Sequence, residues 1–84
     1  MDLKTKVRRA LKELPLRELK IDLERTASGK IAGVLVSPSF QGHDQIDRQE
    51  MIWGKLKQRL TEAEQLEVVS LITVTPLENA DVAA

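Results

Sequence analysis

The chain has 84 residues, with 13 Lys and Arg balanced by 13 Asp and Glu, no cysteine, one histidine and two aromatic residues, Phe40 and Trp53. Without cysteine there is no disulfide, thiolate metal site or cysteine nucleophile, and 42% hydrophobic with 31% charged residues argues against wholesale disorder. A chain this short makes one domain and needs all its apolar stripes for the core, which places function on the surface and not in a deep internal site.

Asp2 suits a helix N-cap, and Leu3, Val7, Ala10, Leu11 and Leu14 recur at helical spacing, so an amphipathic helix is predicted over 2–14, stopped by Pro15. Leu19, Ile21 and Leu23 alternate with Lys20, Asp22 and Glu24, the pattern of a strand with one buried face. Ala27-Ser28-Gly29-Lys30 provides turn chemistry, and the β-branched run Ile31 to Val36 completes a hairpin. Ser37 to His43 is a loop. Asp44 caps a helix over 44–60 whose inward stripe is read as Ile46, Gln49, Ile52, Trp53, Leu56 and Leu60, with Trp53 and Leu56 at least partly buried. Gly54 within that helix suggests a close approach of another element, since glycine there costs about 1 kcal/mol against alanine.

Thr61 and Glu64 form a capping-box pattern for a short third helix, and Val68 to Thr75 reads as the last strand, stopped by Pro76. The expected domain is 1–78, with a tail frayed from Glu78 and disordered over 79–84. The longest uncharged run, Ile31 to His43, is far short of the roughly 20 apolar residues of a membrane span. Met1-Asp2-Leu3-Lys4 lacks the apolar core of a signal peptide, and the expectation is a cytoplasmic protein.

The predicted fold class is α+β in the order α-β-β-α-α-β, a three-stranded sheet with the helices packed on one face and the last strand parallel to a neighbour. Zero net charge hides an asymmetry. Residues 1–20 carry seven basic and three acidic side chains, while residues 61–84 carry five acidic and no basic ones. Such a layout either marks a face for an acidic partner or leaves a helix with a solvated basic side.

Two stretches resemble the BolA family. The first is Val36-Ser37-Pro38-Ser39-Phe40-Gln41-Gly42 followed by Ile46, Arg48, Met51, Ile52, Trp53 and Leu56; the second is Val69 to Thr75 with Pro76, similar to that family's final strand ending in Thr-Pro. The likeness runs over residues 5–78 and implies the same topology, which is also that of class II KH domains. It implies a non-enzymatic protein that binds a partner such as a monothiol glutaredoxin in iron–sulfur or redox homeostasis. Family members carry a His directly after the helix Arg, and a His or Cys in the loop between the first two strands, as cluster ligands. Here Gln49 follows Arg48, and Thr26 to Lys30 holds neither. An amide is a poor donor for iron–sulfur centres, so no cofactor and no metal are expected.

The expected partner-binding residues are Phe40, Gly42, His43, Arg48, Gln49 and Thr75, around the loop, the start of the helix and the end of the last strand. Each has a plainer alternative. Phe40 is an apolar anchor or a core plug, His43 a replacement ligand or a solvated loop residue, and Gln49 a partner contact or a boundary amide bonded to backbone. No serine has a base at nucleophile-elbow spacing, and no phosphate-binding glycine loop is present. The rival function is nucleic-acid binding and transcription regulation, through Arg48, Lys55, Lys57 and Arg59 with the basic first helix. Against it stand the zero net charge and the missing Gly-x-x-Gly clamp of KH domains.

Overall fold

A computed structural model of the chain describes residues 2–83, and the side chains of residues 2–80. Asp2 accepts from the Thr5 amide at 2.8 Å and opens α1, Leu3–Lys12, whose buried face is Val7, Ala10 and Leu11. The helix ends two residues before the predicted limit, and Leu14, past its C-cap, still turns into the core. β1, Lys20–Arg25, and β2, Ile31–Val36, form the predicted antiparallel hairpin, closed by the bonded turn Thr26 to Lys30 with Gly29 at φ 81°. α2, Gln45–Arg59, and the short α3, Glu62–Leu66, lead to β3, Val68–Val74.

β2 is the central strand, in the order β1-β2-β3, and β3 lies parallel to it, as expected for a strand reached through helices. A register shift makes Val69 the extra residue of a bulge between Ile31 and Ala32. The core is continuous from Val7, Leu11 and Leu14 through Leu23, Ile31, Leu35 and Leu71 to Ile52, Leu56 and Leu60, with Trp53 packed partly buried against it. No helix among the described residues is long and apolar enough to cross a membrane.

Three expectations are corrected. Ile46 is 70% exposed, because the buried stripe of α2 runs through Arg48, Ile52 and Leu56 to its C-cap Leu60; two residues at 100° per residue put Ile46 nearly opposite Arg48. Gly54 faces solvent, with nothing near the place of a Cβ. Past Pro76 the chain forms α4, Pro76–Ala83, where a frayed tail is expected; Ala84 lies outside the described residues. Its start was legible: Thr75-Pro76-Leu77-Glu78 repeats the capping-box pattern recognised at Thr61, with proline in the first turn. Thr75 N–H donates to Glu78 Oε1 at 2.8 Å, and Glu78 N–H donates to Thr75 Oγ1 at 3.1 Å.

The glycine that does need its missing side chain is Gly33, paired with Leu23 across β1 and β2. A Cβ there would lie 2.5 Å from the Asp22 carbonyl oxygen and 2.6 Å from Leu23 Cδ2. The leucine methyl can turn away, but the backbone oxygen cannot move without opening the ladder. Gly33→Val is expected to lower stability by about 1–3 kcal/mol through overpacking, read as a fall in the urea midpoint. A variant with the parent's midpoint would show that β1 and β2 pair in another register.

Candidate functional site

The loop after β2 is held at both ends. Ser37, buried, donates its N–H to the Val74 carbonyl at 3.1 Å and its hydroxyl to the Arg17 carbonyl at 2.6 Å, while its Oγ accepts from the Ser39 amide at 3.1 Å. Ser39 Oγ in turn accepts from the Arg17 amide at 3.0 Å. Pro38 then starts a single 3-10 turn, Pro38–Phe40, that drives Phe40 into the core with 0% exposure. The core-plug alternative therefore holds for Phe40, and it is no exposed anchor. Gln41 and Gly42 project outward, Gly42 at φ 84°, a conformation that favours glycine. His43 is exposed at the loop's end, and Asp44 caps α2 by accepting from the Asp47 amide at 2.8 Å.

Arg48, expected on the surface, is 5% exposed. Its Nε donates to the His43 carbonyl at 2.8 Å and its Nη1 to the Thr73 carbonyl at 3.2 Å. The guanidinium lies 5.6 Å from the centre of the Phe40 ring and forks onto Glu78, Nη1 to Oε1 at 2.8 Å and Nη2 to Oε2 at 3.3 Å. This explains how a charge can sit on the inward stripe of a helix: two carbonyls, a ring face and a carboxylate replace water around it.

Arg48 lines a pocket of about 400 Å³ with Pro38, Gln41 and Gly42 of the loop and with Thr75 to Glu78. It unites three of the expected partner-binding residues, Gly42, Arg48 and Thr75, with five that were not expected there: Pro38, Gln41, Pro76, Leu77 and Glu78. Gln49 is not among them. Its amide donates to the Leu71 carbonyl at 2.8 Å, so the backbone-bonded alternative describes it. One turn earlier, Gln45 exchanges bonds with Thr73, amide to carbonyl at 3.1 Å and hydroxyl to amide oxygen at 2.7 Å. The two glutamines line a second groove, of about 440 Å³, along β3.

The four basic residues of the nucleic-acid alternative do not form a common free patch. Arg48 is buried, Lys55 and Arg59 both pair with Glu13 at 3.6 and 2.6 Å, and Lys57 is exposed. Among the described residues the basic side chains without an ion pair include Lys4, Arg8 and Lys12, spaced by four along α1. No group of three or more potential metal-ligating side chains gathers among the described residues.

Three ion pairs tie helices together and hold their carboxyl groups below the usual glutamate range. The Arg59 guanidinium does so for Glu13, the Lys6 ammonium with the Thr61 amide for Glu64, and the Arg48 guanidinium with the Thr75 amide for Glu78. They join α1 to α2, α1 to α3 and α2 to α4.

No family model matches the chain, and no curated protein matches it. Among solved structures it is similar to BolA1 from Arabidopsis thaliana, with a TM-score of 0.66 and 24% identity over 93% of this chain and 96% of that one. It is also similar to a bol-like protein from Babesia bovis, with a TM-score of 0.61 and 20% identity over 100% of this chain and 96% of the other. The fold is BolA-like, and the predicted α+β class and three-stranded sheet are those of the chain.

Proposed function

We propose that this protein is a non-enzymatic, cytoplasmic adaptor that binds a protein partner through the Arg48 pocket and its rim, with a monothiol glutaredoxin as the first partner to test. The observation that carries the reading is the pocket itself, where a rigid loop, a buried arginine and an exposed apolar side chain, Leu77 at 75%, meet in one concavity. Arginine is one of the residue types enriched at binding hot spots, and an exposed leucine beside it gives a partner apolar surface to cover. The buried hydroxyl of the loop, on Ser37, is occupied in structural bonds, which supports a role in binding over one in chemistry. Cluster ligation is not part of the proposal, since the position that follows Arg48 holds an amide bonded to β3.

Titration calorimetry against a monothiol glutaredoxin tests this directly. Leu77→Arg and Gln41→Arg, both at exposed positions, are expected to weaken binding by about ten-fold or more while leaving the circular dichroism melt in place. Binding of parent strength in both variants would remove this surface from the interface. The second reading, nucleic-acid binding, is favoured only by the stripe Lys4, Arg8 and Lys12. It predicts gel shifts that vanish steeply with salt and on charge reversal at Lys4 and Lys12, with no effect of Leu77→Arg.

A further inference from the structure

We infer that Arg48 is the fixed half of a carboxylate-binding site, and that Glu78 of α4 is its resident occupant, displaced when a partner protein presents an aspartate, a glutamate or a C-terminal carboxylate. The inference rests on the adaptor reading for its use, but the site can be tested without any partner.

The two halves of the Arg48–Glu78 pair differ in how they are anchored. Arg48 is 5% exposed and is aimed by the His43 and Thr73 carbonyls and by the Phe40 ring, all of which belong to the loop and sheet and none to α4. Two of its four hydrogen bonds and the ring contact come from outside α4, and a fork anchored in that way matches a carboxylate in two parallel bonds. Glu78 stands on an eight-residue helix, and its side chain is 45% exposed.

Among the described side chains of α4 none is buried: Pro76, Leu77, Asn79 and Ala80 are exposed. A helix of that length is marginal by itself, and among its described side chains the contacts that anchor it are the capping box and Arg48. Glu78 serves both, bonding the Thr75 amide and the guanidinium through the same Oε1. A carboxylate that takes the guanidinium also removes what orients the cap, so occupation of the pocket and release of α4 are one event. A buried guanidinium is costly without a counter-charge, so the latch keeps the site paired until a competing carboxylate arrives. The pocket of about 400 Å³ is lined by both members of the pair, Arg48 and Glu78, together with Gln41, Gly42 and Thr75.

The test follows the Arg48 Nε–H resonance in the full chain at neutral pH while sodium acetate is added, with sodium chloride at equal ionic strength as the control. In Glu78→Ala and Glu78→Gln, acetate is expected to shift that resonance saturably, at a concentration at least ten-fold lower than in the parent. The glutamine variant keeps size and polarity should the alanine variant lose its fold. No saturable shift in a folded variant, an equal shift with chloride, or a parent that responds at the variants' concentration would overturn the latch.

Two peptides then separate the sources, acetyl-Ala-Glu-Ala-amide for a side-chain carboxylate and acetyl-Ala-Ala-Ala with a free carboxyl terminus. Saturation by either at lower concentration than acetate supports a protein ligand and names its end or its side chain. Saturation by neither overturns that part. A failure of the adaptor reading shows separately, as unchanged glutaredoxin binding in Leu77→Arg and Gln41→Arg.

Discussion

Phe40→Ala is expected to lower the stability of the domain by about 3–5 kcal/mol, the range for removing a fully buried aromatic ring. Phe40 is the chain's only phenylalanine, is 0% exposed and heads the largest fully buried side chains. The size of the loss depends on how far the surroundings can collapse into the space left behind. Here they cannot follow easily, because the turn that carries Phe40 is tied by Ser37 to Arg17 and Val74, and because the Arg48 guanidinium above the ring is fixed by two carbonyls. A domain of this size has about 5–15 kcal/mol in all, so the variant will sit near the edge of folding. Urea denaturation monitored through Trp53 measures it, with Phe40→Leu retaining most of the stability. A loss under about 1 kcal/mol would mean that the ring does not fill the core.

Arg48→Ala comes second, at about 2–4 kcal/mol, from the charged hydrogen bonds to the His43 and Thr73 carbonyls and from the stem packed inside the domain. The Glu78 carboxylate is left free to turn to water, so the full penalty of a stranded buried ion does not apply. The substitution also changes the response to acid. Arg48 is the main cause that holds the Glu78 carboxyl below its usual range, with the Thr75 amide next. A carboxyl whose folded value is depressed contributes stability above its unfolded value and loses it as the pH falls through the folded one. The parent should therefore lose stability below about pH 4, as Glu13, Glu64 and Glu78 are protonated. Arg48→Ala should lose less over the same interval, since Glu78 no longer has its main partner. Thermal midpoints from pH 3 to 7 for both proteins check the sign. Parallel curves would show that Arg48 does not hold Glu78.

The sequence by itself determined the order of the elements from α1 to β3 and most of their ends. Asp2, Asp44 and Thr61 each act within three residues, and the alternation of Leu19, Ile21 and Leu23 and the β-branched run Ile31 to Val36 are local patterns. The parallel placement of β3 followed from the helices that precede it. What only the tertiary structure decided was which face of α2 turns inward. A hydrophobicity pattern puts Ile46 inside and Arg48 outside, yet Arg48 goes in because a carboxylate 30 residues away, two carbonyls and a ring solvate its charge there.

The same holds for the candidate site. The loop, Gly42 and Thr75 were legible as its parts, whereas the separation of Gln49 into the β3 groove required the register of α2 on that strand. The tight glycine was likewise Gly33, facing the backbone of β1, and not Gly54 in a helix open to solvent. Local chemistry sets where an element starts and stops; which of its side chains can be buried depends on what stands opposite, and that is fixed only when distant segments meet.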